Sequence, residues 1–213
     1  MCVRGGEISV RSVLKTTPAA NPLPAPVPAP VPTVPPSSPH AEGVSNEEFR
    51  AAMSRLAAGV CLITAHETPL AADGPRGEDV GMTATAFMSV SLDPPLVLVS
   101  LREGSRMDDL LADQPLWAVS LLADHQLQIA GRFAMKGRIS DRLLFADLPY
   151  VRGEASGAPL LSGALATLEC RTENRVEAGD HTLVIGRVLT AALPSPDGQP
   201  LTYFRGRYRH LGT

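Results

Sequence analysis

The chain is 213 residues long and carries 19 Lys and Arg against 22 Asp and Glu, a formal charge of -3. With no basic run, neither nucleic acid nor an anionic membrane surface is an expected partner. The apolar fraction of 44% is enough for a core, and the length fits one domain plus an appendage.

Residues 1–44 do not read as folded. From Pro18 to Pro39 proline alternates with Ala, Val and Leu, as in Pro22-Leu23-Pro24-Ala25-Pro26. Such a run favours extended polyproline II and cannot pair as a central strand. The first residues lack the apolar stretch of a secretory signal, and no later segment approaches the ~20 apolar residues of a membrane span. A cytoplasmic protein is expected, with a disordered tail at 1–44 and one domain over 45–213.

Ser45-Asn46-Glu47-Glu48 has the spacing of a capping box. Phe49, Met53, Leu56 and Ala57 then predict one apolar helix face, with Gly59 ending the helix and Val60 to Thr64 forming the first strand. Residues 66–80 are polar and hold Pro69, Asp73-Gly74 and Pro75, which predicts a loop.

The stretch from Gly81 to Leu101, GMTATAFMSVSLDPPLVLVSL, is the most informative. Thr83, Thr85, Phe87, Ser89 and Ser91 alternate with Met82, Ala84, Ala86, Met88, Val90 and Leu92. That period of two predicts a strand with a hydroxyl-rich face and an apolar face. Asp93-Pro94-Pro95 stops it, because two consecutive residues have fixed φ and no N–H to donate. Leu96 to Leu101 is almost continuously apolar. Leu96–Val99 and Val60–Ile63 are apolar on both faces. One face can fill a barrel; a second copy of the chain is the expected cover for the other.

Ser105 is placed to cap a short helix through Leu111, Leu116–Leu122 reads as a strand, and Asp124 is placed to cap a helix carrying Leu127, Ile129, Ala130 and Phe133. Residues 135–163 show no regular period. Leu165–Val176 and Thr182–Leu193 read as long strands, and Leu201–Leu211 as a last one. Cys61 and Cys170 sit in apolar strands and are expected to be inert buried thiols. With Cys2 they show no metal-ligand spacing, so no metal site is expected. Regular strands, short helices, no βαβ rhythm and no phosphate-binding glycine loop predict an antiparallel barrel rather than a dinucleotide-binding α/β domain.

GMTATAFMSVSLDPPLVLVSL resembles the signature of the flavin reductase family, the short-chain NAD(P)H:flavin oxidoreductases that supply reduced flavin to two-component monooxygenases. The resemblance extends through Ala58-Gly59-Val60, Arg132-Phe133-Ala134, Gly157-Ala158-Pro159-Leu160, Leu168-Glu169-Cys170, Gly179-Asp180-His181, Ile185-Gly186-Arg187-Val188 and Tyr203-Phe204-Arg205-Gly206-Arg207-Tyr208. It covers residues 49–211. It implies a mainly β fold, a Greek-key split β-barrel with a few short helices. It also implies a homodimer, FMN or FAD as flavin, NADH or NADPH as hydride donor, and a flavin-dependent monooxygenase as recipient of the reduced flavin.

By the same resemblance, Thr83, Ala84 and Thr85 contact the flavin, although Thr85 stands where the family often has Asn. Ser89, Val90 and Ser91 offer backbone groups to the ring edge, and Leu98, Val99 and Ser100 border the ring. Gly104, Ser105 and Arg106 fit the phosphate end, and Phe133 and Ala134 add contacts. His181 is the candidate catalytic residue, orienting the nicotinamide, with Phe204, Arg205, Gly206 and Tyr208 on the NAD(P)H side. Two other readings share these residues. One is a split-barrel flavoprotein that retains FMN as a prosthetic group and oxidises another substrate. The other is a non-catalytic flavin-binding module.

Overall fold

The computed structural model describes residues 43–68, 77–135 and 140–211. The expected proline-rich tail and the centre of the loop at 66–80 lie outside these described residues. Val44–Thr213 forms a compact unit of its own.

The elements in chain order are α1 (Asn46–Met53), β1 (Ala58–Gly59), β2 (Cys61–His66), β3 (Asp79–Ala84), β4 (Phe87–Leu92), β5 (Pro95–Arg102) and α2 (Arg106–Asp113). They continue with β6 (Leu116–Leu121), a 3-10 turn (Asp124–Gln126), α3 (Leu127–Ala134), α4 (Asp141–Phe145), β7 (Tyr150–Arg152) and β8 (Pro159–Leu161). The chain finishes with β9 (Ala166–Ala178), β10 (His181–Ala192), β11 (Leu201–Phe204) and β12 (Arg207–His210).

Seven strands form one antiparallel sheet in the order β3-β2-β6-β9-β10-β5-β4. Its two edge strands, β3 and β4, are consecutive in the chain and joined by Thr85-Ala86. The sheet therefore curls until its edges meet at that corner. The Cys61 thiol donates to the Ala84 carbonyl at 3.3 Å, and the Ser100 N–H donates to the Ala86 carbonyl at 3.0 Å. Ile63, Val80, Phe87, Val99, Trp117, Cys170 and Val184, one from each strand, converge on one core. Strand β5 alternates inward Val97, Val99 and Leu101 with outward Leu96, Leu98 and Ser100. Helix α2 follows β5 and drives Met107, Leu110 and Leu111 into the same core, which plugs that end of the barrel.

A second core lies outside the barrel wall. Val60 and Leu62 meet Ala130 and Phe133 of α3, Leu144 and Phe145 of α4, Leu161 of β8 and Leu201 of β11. Gly81 makes this approach possible, because a Cβ there would stand 2.8 Å from the Phe133 ring and 2.9 Å from that of Phe145. The Arg132 guanidinium ties α3 to α4 by donating to the Leu144 carbonyl at 3.2 Å. The remaining strands make a small sheet, β1-β11-β12, and a hairpin, β7-β8.

Several expectations need correction. The capping box of Ser45 and Glu48 is present, but α1 stops at Met53, and Phe49, Met53 and Leu56 are exposed rather than packed. The predicted long strand through Gly81–Leu92 breaks at Thr85-Ala86, and the break exchanges its faces: Met82 leans on the core before it, Phe87 after it. Met88, Val90 and Leu92 therefore end up exposed. Asp124 does not cap α3; it opens the 3-10 turn, where the Gln126 side chain accepts from the Ala123 N–H at 3.0 Å. Residues 135–163 hold α4, β7 and β8, pieces too short for periodicity to detect. The last strand is a hairpin, turned by Arg205 and Gly206, both at positive φ. Cys61 and Cys170 are buried free thiols, each pushed up to about 12, chiefly by burial.

Candidate functional site

The end of the barrel at α2 gathers one group of the expected residues. Strand β5 ends at Arg102, and Gly104, at φ 66, turns the chain into α2. Ser105 caps that helix, its hydroxyl accepting from the Asp108 N–H at 3.3 Å. The Asp108 carboxylate turns back to accept from the Gly104 N–H at 3.2 Å and pairs with Arg175 of β9. Facing this turn is the β9–β10 hairpin, where Gly179, at φ 67, and Asp180 reverse the chain. The Glu103 N–H donates to the Asp180 carbonyl at 3.1 Å, and His181 pairs in register with Arg102. A cavity of about 260 Å³ opens between the two turns, lined by Glu103, Asp108, Arg175, Glu177 and His181 among others.

His181 is half-exposed, and its Nδ1 lies 2.7 Å from the Asp180 carboxylate. With Nδ1 as donor to that carboxylate, Nε2 is left to accept from a ligand. Hydrogen bonding and charge from His181 hold the Asp180 carboxyl below its ordinary range. His181 is thus displayed at a rim, oriented by a neighbouring side chain.

The expected flavin residues divide by face. Leu98 and Ser100 point outward from β5, half-buried, beside outward Leu183 and Ile185 of β10. Ala84 and Val99 point inward and are packed in the barrel, so only their backbone can meet a ligand. The Thr83 hydroxyl donates to the Ala130 carbonyl at 2.7 Å, which commits it to holding α3. Thr85 is exposed at the barrel corner, and Ser89, Val90 and Ser91 lie on edge strand β4 at an irregularity in its pairing with β5. An apolar cavity of about 440 Å³ lies along β4, lined by Phe87, Met88, Ser89 and Val97 together with Leu121 and Leu168.

One expected contact is corrected. The Phe133 ring is buried edge-to-face against Phe145, with centroids 5.0 Å apart, so it is core and not a ligand wall; Ala134 beside it is exposed. Arg106 faces carboxylates, with Glu78 at 3.1 Å, Asp141 at 3.2 Å and Glu67 at 3.5 Å. The residues of the NAD(P)H side are also not brought together within one chain. Phe204, Arg205, Gly206 and Tyr208 belong to the β11–β12 hairpin, which hangs from β1 and from Val60, where β2 begins. Because β2, β6, β9 and β10 alternate in direction, the start of β2 and the start of β10, at His181, are at opposite ends of the barrel. Arg205 stacks on the Phe204 ring at 5.2 Å, and its N–H donates to the Ser54 carbonyl after α1.

Sequence reasoning missed a second polar group at the wall of the second core. The Asp79 carboxylate receives both terminal nitrogens of Arg152, the Tyr150 hydroxyl at 3.0 Å and His66 Nδ1 at 2.8 Å. Burial alone would raise the Asp79 carboxyl, but these partners together hold it below its ordinary value. A cavity of about 720 Å³ borders this group. No spacing rule links residues 66, 79, 150 and 152, which only the β2–β3 and β7–β8 pairings bring together.

Curled sheet, plugging helix and paired turns define a split-barrel protein. The chain belongs to the flavin reductase family: residues 53–212 match the model described as "Flavin reductase like domain". It is 40% identical over 164 residues to an NADH-dependent flavin reductase of Rhodococcus sp, covering 76% of this chain and 84% of that one. It is 42% identical over 135 residues to an NADH-dependent FAD reductase of Streptomyces globisporus, covering 63% and 73%. Its fold matches BorF, the flavin reductase component of a bacterial two-component tryptophan halogenase, with a TM-score of 0.70 and 35% identity over 79% of this chain and 99% of that chain. Among the described residues no helix is long and apolar enough to cross a membrane.

Proposed function

We propose that the protein is an NADH-dependent flavin reductase that takes FMN or FAD from solution and delivers the reduced flavin to a flavin-dependent monooxygenase. The observation that carries this reading is the continuous path along the outer face of β5. Leu98 and Ser100 form a flat, half-buried floor, and four residues further on the chain reaches the Gly104–Ser105 turn at the start of α2. The floor suits an aromatic ring system. Backbone N–H groups at a capped helix start suit a phosphate, and Arg106 adjoins them. His181, across from Arg102, stands where a nicotinamide would meet that ring.

Hydride transfer between the two cofactors is their own chemistry. The chain has to hold both rings at reacting distance and keep water out. In this reading His181 accepts from the carboxamide through Nε2, and the Asp180 carboxylate fixes its ring. The Asp108–Arg175 pair keeps the α2 turn against the His181 turn. Ser89, Val90 and Ser91 supply backbone groups at the ring edge, and Ala84, Thr85 and Val99 contribute through backbone at the corner.

The same reading makes the working unit a homodimer. Among the described residues, the outer face of β5 belongs to neither core, and Met88, Val90 and Leu92 are exposed apolar surface. Phe204, Arg205, Gly206 and Tyr208 can join His181 only if a second copy presents its hairpin there. The family match begins at residue 53, after the stretch 1–44. NADH and free flavin are solutes of the cytoplasm, where we place the enzyme.

The test is NADH oxidation at increasing free FMN and FAD. Turnover that rises with added flavin and saturates is the expected result. Flavin that stays with the protein through gel filtration, with NADH oxidation indifferent to added flavin, would favour the retained prosthetic group. No NADH oxidation at all would favour a binding module.

A further inference from the structure

We infer that the cationic β11–β12 hairpin of one copy docks on the acidic rim around His181 of a second copy, where Arg205 and Arg207 pair with Glu103 and Glu177. This rests on the homodimer proposed above, and it names the charges that orient the two copies.

The two patches carry opposite charge. Arg205, Arg207 and Arg209 alternate along the hairpin, and all three are exposed. Arg207 and Arg209, two residues apart on β12, point to one side. Among the described residues no carboxylate pairs with any of them. Arg205 stacks on the Phe204 ring, which stiffens the turn.

The rim has the reverse surplus. Asp108 is taken by Arg175, and Asp180 by His181 and the field of Arg102. Glu103 and Glu177 are exposed and line the 260 Å³ cavity beside His181. Among the described residues no cation pairs with either. Two like charges on one small cavity repel each other and any anion that enters. The diphosphate of NADH is such an anion.

Within one chain the patches cannot meet, because they lie at opposite ends of the barrel. A twofold axis through the outer face of β5, across its strands, runs two barrels antiparallel. Each hairpin end is then set against the His181 end of the other copy, and the contact is made twice. The hairpin stands on the side of the barrel this requires. Leu201 at its base and Met88 of β4 line one apolar cavity, and β4 pairs with β5. The docked arginines neutralise Glu103 and Glu177, so the rim no longer repels a diphosphate. They also bring Phe204 and Tyr208 to His181.

Two charge-reversed full-length chains test this, Arg205→Glu with Arg207→Glu and Glu103→Arg with Glu177→Arg. Each alone sets like charges against each other across the interface. Association should weaken by roughly 100-fold or more. Light scattering should give the single mass where wild type gives twice that mass. Mixed in equal amounts, every hairpin meets a rim of opposite sign, and the doubled mass and NADH oxidation should both return. A pairing inside one chain would not be rescued by mixing. Melting curves show first that each chain folds; where a double reversal does not, Arg207→Glu and Glu177→Arg, at exposed positions, repeat the test singly. Reversed chains that still pair alone, or a mixture that stays at the single mass, would overturn the docking. Doubled mass without NADH oxidation in wild type and mixture alike would uphold the docking and sink the reductase reading. NADH oxidation by a wild-type monomer would do the opposite.

Discussion

Strands β2 and β5 carry the same pattern, apolar residues on both faces, and meet different surroundings. Their inner faces both fill the barrel, Cys61, Ile63 and Ala65 from one and Val97, Val99 and Leu101 from the other. The outer face of β2 is covered by its own chain. Leu62 is fully buried under α3 and α4, and the Thr64 hydroxyl donates to the Pro159 carbonyl at 2.6 Å. The outer face of β5 offers Leu96, Leu98 and Ser100, and neither core includes them. An apolar face states that something must cover it; only the rest of the chain decides whether the cover is a helix, a ligand or another copy. The expectation that both strands point to a second copy therefore holds a reason for β5 alone.

The sharpest way to break this comparison is to shorten the matching leucines. Leu62→Ala removes a fully buried side chain and should cost about 2–5 kcal/mol. Leu98→Ala removes a half-exposed one and should cost under about 1 kcal/mol in the stability of the chain itself. Urea melts of both variants, at a concentration where wild type and variants share one oligomeric state, give the two values. Equal losses would mean that β5 is covered within the chain after all.

Glu169, from the motif Leu168-Glu169-Cys170, shows a residue of the family pattern at work in the fold. Its carboxylate accepts from the Ala155 and Ser156 N–H groups at 2.9 and 2.7 Å and from the hydroxyls of Ser156 and Thr190 at 2.8 and 2.7 Å. Burial alone would raise the carboxyl, yet these four donors hold it below its ordinary value of 4.5. A carboxyl lowered on folding contributes stability that is complete above the unfolded value and is lost as pH falls through the folded one. Melts should therefore show a loss of stability below about pH 4.5 that is smaller in Glu169→Gln. At pH 7 the substitution itself should cost about 1.5–3 kcal/mol. A pH profile parallel to wild type would remove Glu169 as a source of the acid loss.

His181→Ala should lower kcat/KM for NADH by roughly 10- to 100-fold, or about 1.4–2.7 kcal/mol, with flavin affinity nearly constant. Stopped-flow reduction at varied NADH, with a flavin titration alongside, separates the two. A joint fall in flavin affinity and Tm would return His181 to a structural part in the β9–β10 turn.

Strand alternation, proline stops and helix caps are local, so the barrel was readable before any coordinate: β5, β6, β9, β10, α2 and the cap of α1 fall where the pattern puts them. What the sequence hid was set by contacts between distant residues. The corner at Thr85-Ala86 has no breaker in it, because the strand bends there to close a barrel rather than to stop. α4, β7 and β8 have five, three and three residues, less than one period of evidence. Of the candidate site, the Gly104–Ser105 turn and the His181 turn were legible as punctuation. The apolar face of α3 pointed Phe133 to a core and only the resemblance put it at the flavin, but its partners Gly81 and Phe145, at 52 and 12 residues' remove, were not legible.

The smallest effect on the chain's own fold, and the one that bears most on β5, should come from Leu98→Asp. The side chain is half-exposed in the single chain, so an aspartate there keeps its contact with water and should change the unfolding free energy by less than about 1 kcal/mol. If a second copy covers this face, the same carboxylate becomes buried without a partner on both sides of a twofold interface, and association should fail. An interface of working size buries well over ~1,000 Å² in total, and one charge at its centre is enough to weaken it by several powers of ten. Light scattering at micromolar concentration should then give twice the chain mass for wild type and the single mass for the variant, at nearly the same folded signal. Leu62→Asp is the control from the other strand and should unfold the chain rather than separate copies. A monomeric wild type with full flavin reductase activity would show that the outer face of β5 serves the flavin alone, and that Phe204 and its hairpin neighbours have no part in the site.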